Sequence, residues 1–156
     1  MPLAIGAAAP DFTLKGTPAD AVTLSGHKGK DNVVLLFIPF AFSSICTEEF
    51  CSVRDQWNDL GKINAKIYGL SVDSVHALKA WKEKEKLPFE LLSDFNKGVS
   101  RAYDAQHEKL GDWVGVAKRS AFVIDKEGKV AMAWVSDDPK VKPDVAAIKA
   151  VVQKLK

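Results

Sequence analysis

The chain has 156 residues, of which 47% are hydrophobic, and a formal net charge of +2. This composition is that of an ordinary folded protein, and the length predicts a single domain over residues 1–156. A charge so close to neutral gives no reason to expect nucleic acid or a charged membrane as a partner. The longest uncharged apolar run, from Val33 to Ile45, is interrupted by Pro39 and is shorter than the about 20 residues that a membrane helix needs.

Two further features bear on the compartment of the protein. The N-terminal segment lacks the basic region that begins a signal peptide, so a cytoplasmic location is expected. Two cysteines in a chain of 156 residues do not form a disulfide scaffold, and a core of this size does not require one. Both cysteines therefore call for an explanation in terms of reactivity or packing.

The first half of the chain alternates predicted strands and helices. Its elements are a strand over 33–38, a helix over 44–60 closed by Gly61, a strand over 67–72, and a helix capped by Ser74 that runs toward Lys86. The first strand is a continuous β-branched and aromatic run, which is typical of a strand buried on both faces. Phe50, Val53, Trp57 and Leu60 recur at three and four residues, which indicates an amphipathic helix.

The second half adds antiparallel strands. Its predicted elements are a short strand over 89–92, a short helix over 96–103, strands over 120–125 and 130–135 joined by a turn at Gly128, and a helix over 144–155. Strands separated by helices, followed by a hairpin, predict an α/β fold with a central mixed sheet flanked by helices. Such sheets place chemistry at the carboxyl ends of their strands, where the segment 39–46 is expected.

Cys46 lies in the predicted first turn of a helix. The free N–H groups and the dipole there favour a thiolate over a thiol. Ser43, three residues earlier, places a hydroxyl where it could hydrogen-bond the sulfur or its reaction partner. However, Cys46 also precedes Phe50 by four residues, so it lies on the apolar stripe of the same helix. Free cysteine is among the most buried residue types, so spacing alone leaves both reactivity and packing open.

Cys51 follows Cys46 by five residues. On an ideal helix the two side chains diverge by about 140° and their Cα atoms lie roughly 8.6 Å apart. A disulfide needs Cα atoms within about 7 Å, so the pair cannot be bridged while the helix is intact. Either the helix unwinds in a redox cycle or Cys51 has no role, and spacing favours the second interpretation.

The segment Pro39-x-x-x-Ser43-x-x-Cys46 resembles the active-site signature of the peroxiredoxins, thiol peroxidases of thioredoxin-like fold. The opening Gly6-Ala-Ala-Ala-Pro10-Asp-Phe-Thr-Leu14 is similar to the N-terminus of that family. Glu49 matches an acidic or amide position three residues after the reactive cysteine. Arg119 begins a run, Arg119-Ser-Ala-Phe-Val-Ile-Asp125, that looks like the strand supplying the catalytic arginine. These elements lie in family order and span most of the chain.

This resemblance implies a role for each of the matching residues. Cys46 would attack the peroxide, Arg119 would favour its thiolate and bind the peroxide, and Glu49 would hold Arg119. Ser43 would orient the peroxide oxygens, and Pro39 would shield the sulfur from water. No cofactor is implied.

Two subgroups of the family are suggested by different parts of the same segment. The spacing of Cys46 and Cys51 resembles the bacterioferritin-comigratory or Q-type group, in which the second cysteine resolves the sulfenic acid within one chain. The stretch from Pro39 to Cys46 is more similar to the AhpE-like one-cysteine group. The implied partners are hydrogen peroxide or organic hydroperoxides and a thioredoxin-like or glutaredoxin-like reductant. We expect a monomer or homodimer.

Two alternatives compete with a peroxidase. A thioredoxin-type thiol–disulfide oxidoreductase is opposed by the absence of Cys-x-x-Cys and of any proline between Phe89 and Asp138. The second alternative is a non-catalytic redox sensor, in which oxidation unfolds the helix. Arg54 and Arg101 compete with Arg119 for the role of the active-site arginine.

Other polar and aromatic residues carry weaker signals. The histidines have no zinc-site spacing, so no metal is expected, and we interpret them as surface or loop residues: His27, His76 and His107. The tryptophans are interpreted as packing residues: Trp57, Trp81, Trp113 and Trp134. The run from Lys79 to Lys86 is interpreted as a solvated helix face.

Overall fold

The structure is a computed structural model that describes residues 3–56 and 65–155. Within those ranges the strands are β1 (Thr13–Leu14), β2 (Val22–Thr23), β3 (Asn32–Phe37), β4 (Ala65–Ser71), β5 (Glu90–Ser93), β6 (Lys109–Leu110), β7 (Trp113–Val114), β8 (Ser120–Ile124) and β9 (Val130–Val135). The helices are α1 (Ser44–Asp55), α2 (Val75–Glu85), α3 (Gly98–Ala102) and α4 (Val145–Gln153), and a 3₁₀ helix covers Leu24–His27.

Five of these strands form a central mixed sheet in the order β5-β4-β3-β8-β9. β4 lies parallel to β3 and to β5, whereas β8 lies antiparallel to β3 and to β9. Phe37, at the carboxyl end of β3, pairs with Leu70 of β4 and with Ser120 at the start of β8. Residues that follow β3 and β4 and those that precede β8 therefore meet at one edge. The predicted α/β fold with a mixed, thioredoxin-like sheet is confirmed.

The buried strand β3 separates two apolar layers. Val34, Leu36 and Ile38 face a cluster that includes core residues of α1, α2 and α4. Val33, Leu35 and Phe37 face a second cluster around Tyr103 and Phe122. Because side chains alternate across a strand, the unbroken apolar run serves both layers. This arrangement places α1, and both cysteines with it, on the first face.

The predicted elements agree with the structure apart from their ends. α2 is capped by Ser74, whose hydroxyl accepts from the Ala77 N–H at 3.2 Å, and it ends at Glu85. α1 begins at Ser44 as predicted but ends at Asp55, whereas the spacing predicted a helix to Leu60. Three residues of that prediction, Trp57, Leu60 and Gly61, lie outside the described residues.

Three residues differ from their predicted surroundings. His107 is in a loop but is buried, and His27 is partly buried between Asp31 and the Tyr68 hydroxyl. Trp113, predicted to be a packing residue, is 57% exposed at the β6–β7 hairpin and meets Phe40 edge-on. Its two-stranded hairpin is too short to form a core of its own. In the described part of the chain, no helix combines the length and apolarity needed to cross a membrane.

Candidate active site

Cys46, Ser43 and Arg119 come together at the edge of the sheet where β3 ends. Ser43 is the N-cap of α1, and Cys46 lies in the first turn of that helix. Arg119 immediately precedes β8, whose first residue, Ser120, pairs with the last residue of β3. The antiparallel register thus carries the arginine to the cysteine across 73 residues of chain.

The loop between β3 and α1 is attached to the neighbouring strand. The Ala41 N–H donates to Oδ2 of Asp73 at 2.6 Å, and the Ser71 hydroxyl donates to the same oxygen at 2.6 Å. Phe42 has a φ of 67°, in the left-handed region that side chains rarely occupy. Pro39 is buried at the start of this loop. Asp73 was missed in the sequence, although its place just beyond the carboxyl end of β4 was a usable signal.

The sulfur of Cys46 lies in a buried site beside a guanidinium group. Cys46 is 0% exposed, and Nη2 of Arg119 donates to its Sγ at 3.1 Å. The Cys46 N–H donates to the Ser43 hydroxyl at 3.4 Å. A fixed cation and the start of a helix both favour the thiolate, so this surrounding suits a nucleophile better than a packing residue.

Arg119 is held in place through its other nitrogens. Nη1 donates to Oε1 of Glu49 at 2.9 Å, and Nε donates to the carbonyl of Pro139 at 2.9 Å. Glu49 lies three residues after Cys46, so both side chains point from the same face of α1 toward the guanidinium. Arg119 and Glu49 are 1% and 2% exposed. The carbonyl of Pro139 carried no sequence signal, because any residue could supply it.

Burial and charge oppose each other in this cluster. Burial raises the pKa of Glu49 to about 7, although the hydrogen bond and charge of Arg119 act to lower it. Burial acts to lower the pKa of Arg119, but Cys46 and Glu49 together hold it above its ordinary value. Oε2 of Glu49 is buried without a hydrogen-bond partner in the described part of the chain. One guanidinium therefore donates to both Glu49 and Cys46, while burial favours the neutral form of the Glu49 carboxyl.

Cys51 has different surroundings, although it lies on the same helix. Both cysteines are free thiols, and Cys51 is partly buried. Its S–H donates to Oε2 of Glu85 at 3.4 Å. Burial, the hydrogen bond to Glu85 and the charges of Glu85 and Asp55 raise the pKa of the Cys51 thiol, against the opposing charge of Arg54.

The alternative arginines do not join the site. Nη1 of Arg54 donates to the backbone carbonyl of Glu85, and its Nε donates to Asp55. Arg101 is exposed on α3, which packs on the opposite face of the sheet from α1. Within residues 3–56 and 65–155, no group of three or more His, Cys, Asp or Glu side chains is placed to hold a metal ion.

Known proteins resemble this chain over nearly all of its length. The AhpC/TSA family model matches residues 5–133. Peroxiredoxin Bcp of Bacillus subtilis is 39% identical over 149 residues, covering 94% of this chain and 92% of the relative. Alkyl hydroperoxide reductase E of Mycobacterium tuberculosis is 35% identical over 142 residues, covering 90% of each chain. The crystal structure of peroxidoxin BcpB from M. tuberculosis superposes with a TM-score of 0.81 at 30% identity, covering 97% of each chain. The chain therefore belongs to the AhpC/TSA family and is a peroxiredoxin, an enzyme that reduces peroxides with a thiol.

Proposed function

We propose that Cys46 is the peroxidatic nucleophile and that Arg119 is its catalytic partner. The observation that carries this assignment is the 3.1 Å contact between Nη2 of Arg119 and Sγ of Cys46, in a site where neither residue is more than 1% exposed. A guanidinium fixed in this way binds an oxygen beside the sulfur without reorganising during the reaction. The substrates are hydrogen peroxide and organic hydroperoxides.

The reaction then follows from the arrangement of these groups. The Cys46 thiolate attacks the nearer peroxide oxygen, the O–O bond breaks, and the far oxygen leaves as water or an alcohol after taking up a proton. Arg119 stabilises the charge that moves onto the leaving oxygen. Ser43 and the Cys46 N–H, which meet at 3.4 Å, orient the oxygens, and Pro39 limits access of water. Because Cys46 is 0% exposed, part of its surroundings must move for a peroxide to reach the sulfur.

In the second half of the proposed cycle, Cys51 acts as the resolving thiol. The product on Cys46 is a sulfenic acid, which condenses with a thiol to give a disulfide and water. Cys51 is the only other cysteine of the chain, and α1 must unwind before the two sulfurs meet. A thioredoxin-like or glutaredoxin-like protein in the cytoplasm then reduces the bridge, acting on a one-domain enzyme that is a monomer or homodimer.

Intact mass after one equivalent of hydrogen peroxide tests both assignments. The protein is quenched under denaturing conditions with a thiol-blocking reagent. We expect a loss of about two hydrogens and no free thiol, which marks a Cys46–Cys51 bridge. A gain of oxygen with Cys51 still alkylatable would instead mean a one-cysteine enzyme.

Two matched variants separate the roles of the cysteines. Cys46→Ser is expected to abolish peroxide consumption, and Cys51→Ser is expected to consume one equivalent and then stop in the presence of thioredoxin. Continued turnover by Cys46→Ser would exclude Cys46 as the nucleophile. Unchanged steady-state turnover by Cys51→Ser would exclude Cys51 as the resolving thiol.

A further inference from the structure

Among the described residues, the hydrogen bonds from the Cys51 turn of α1 to α2 both end on one residue, Glu85. The Cys51 S–H donates to Oε2 of Glu85 at 3.4 Å, and Nη1 of Arg54 donates to the backbone carbonyl of Glu85 at 2.6 Å. Cys51 and Arg54 are three residues apart, so they project from the same face of α1. Both contacts must break if this turn of α1 unwinds away from α2.

The position of Glu85 is set by the way α2 ends. Lys86 has a φ of 53°, and the Leu87 N–H donates to the carbonyl of Lys82 at 3.1 Å. This pattern is a Schellman motif, which closes the helix and gives its last turn a defined shape. Arg54 adds a positive charge next to the carbonyl end of α2, where a cation is favourable. Glu85 is thus a fixed partner for Cys51.

The charges around Cys51 disfavour its thiolate while the helix is folded. The carboxylate of Glu85 accepts the S–H hydrogen bond, Asp55 adds a second negative charge, and Arg54 opposes them. Disulfide formation needs the thiolate as the attacking group. The same contact therefore links this turn of α1 to α2 and keeps the thiol in its less reactive form.

We propose that Glu85 is a positioning residue that delays formation of the Cys46–Cys51 disulfide by holding Cys51 on the folded helix as a hydrogen-bonded thiol. The inference rests on the proposed role of Cys51 as the resolving thiol. In the step that Glu85 delays, the Cys51 sulfur attacks the sulfenic sulfur of Cys46, the S–S bond forms and the S–O bond breaks. Hydroxide leaves with the proton from Cys51 as water, and the oxidising equivalents come from the peroxide.

Two variants of Glu85 test the proposal. Glu85→Gln keeps a hydrogen-bond acceptor but removes the charge, and Glu85→Ala removes both. After one equivalent of hydrogen peroxide, quenched-flow thiol blocking and intact mass follow the conversion of sulfenic acid to disulfide. In Glu85→Ala we expect this rate to rise about three- to tenfold, the effect of losing one such hydrogen bond. In Glu85→Gln, which keeps an acceptor, we expect a smaller rise. In Glu85→Gln the pH at which the rate is half-maximal is also expected to fall.

Glu83→Gln is the matched control, because Glu83 is exposed on the same helix two residues earlier. We expect its rate and pH midpoint to equal those of the unaltered protein. The proposal is overturned if both Glu85 variants form the disulfide at the unaltered rate with an unchanged midpoint.

A second measurement separates failure of this proposal from failure of the proposed function. If the unaltered protein forms no disulfide, Cys51 is not the resolving thiol. In a Cys46→Ser background, iodoacetamide then reports directly on Cys51. Faster alkylation with a lower pH midpoint in Glu85→Gln would support control of Cys51 by Glu85, and equal rates would overturn it.

Discussion

One helix carries two cysteines in opposite electrostatic surroundings. Cys46, in the first turn of α1, is buried and accepts a hydrogen bond from the Arg119 guanidinium. Cys51, in the third turn, is partly buried and donates a hydrogen bond to the Glu85 carboxylate. A neighbouring cation favours a thiolate, whereas a neighbouring carboxylate favours a thiol.

In the proposed cycle, this contrast suits a different task at each end of the helix. The first turn is held by Arg119, which itself has three hydrogen bonds to protein groups. The third turn makes two hydrogen bonds to α2, from Cys51 and Arg54, and in the described residues both go to Glu85. A nucleophile needs fixed partners, and a thiol that must travel needs contacts that break. The two sulfurs therefore differ through their partners, and not through the helix that they share.

Removing the guanidinium beside Cys46 is expected to have the largest effect, because it takes away the main difference between the two cysteines. Arg119→Met is expected to lower the second-order rate of Cys46 oxidation by about 10²- to 10³-fold, as when one preorganised donor is lost from an active site. Stopped-flow fluorescence with hydrogen peroxide measures this rate. Arg101→Met, at an exposed position on α3, is the control and is expected to react at the unaltered rate. Equal rates in all three proteins would remove Arg119 from the mechanism.

Glu49→Gln tests how two acidic groups share one guanidinium. Between pH 4.5 and about 7 the folded protein keeps a proton on Glu49 that the unfolded chain has lost, because burial raises the pKa. The folded state binds more protons, so this residue lowers stability as pH rises through that window. Glutamine does not titrate but still accepts from Arg119. Its stability relative to the unaltered protein should therefore rise across the window by up to about 3 kcal/mol and level off above it.

Urea denaturation of both proteins at several pH values between 4 and about 8 measures this difference. Parallel stability curves over the whole range would contradict a raised pKa for Glu49. A large loss of stability in Glu49→Gln at the acid end would mean that the ionised carboxylate, and not its hydrogen bond, holds Arg119.

Much of the first turn of α1 could be predicted from sequence, because its features are local. A strand ending at Pro39, a serine at position 43 and a cysteine three residues later define the segment over a short stretch of chain, although the capping role of Ser43 was not predicted. Resemblance to a family supplied Arg119 and Glu49, which spacing alone could not have brought together. Their contact depends on the antiparallel register of β3 and β8.

The third turn of α1 could not be predicted, because its partner is distant in the chain. Glu85 lies 34 residues after Cys51, and its position depends on the left-handed cap at Lys86, a residue type that rarely marks such a turn. Spacing favoured the view that Cys51 has no role, and Arg54 was considered for the active site. The surroundings of Trp113 were also predicted wrongly. It is a large apolar residue that was expected to pack, but it is exposed at a hairpin.

Gly69→Ala is expected to disturb Phe50, which lies between the two cysteines on α1. An added Cβ at Gly69 would lie 2.4 Å from Cε2 of Phe50 and 2.8 Å from Cδ2 of Leu91. Phe50 is already packed against Trp81 at a centroid distance of 5.2 Å, so its ring has little room to move. We expect a loss of about 1–3 kcal/mol in the free energy of unfolding.

Urea denaturation measures the loss, and iodoacetamide alkylation of Cys51 is expected to become faster because its turn loses an anchor. Gly98→Ala is the control, since a Cβ there meets no atom within 4 Å. Its stability should lie within about 0.5 kcal/mol of the unaltered protein. A stable Gly69→Ala variant would mean that Phe50 does not anchor α1.

Ser43→Ala has the smallest expected effect and separates capping from catalysis. Ser43 and Ser74 each cap a helix, accepting from the backbone N–H three residues on at 3.4 Å and 3.2 Å. Replacing either by alanine is expected to cost about 1 kcal/mol of stability. Only Ser43 contacts Cys46, through its backbone N–H, so only Ser43→Ala should also slow oxidation of Cys46, by up to about tenfold. If Ser74→Ala slowed oxidation equally, the effect of Ser43 would be one of helix stability, and its hydroxyl would have no part in orienting the peroxide.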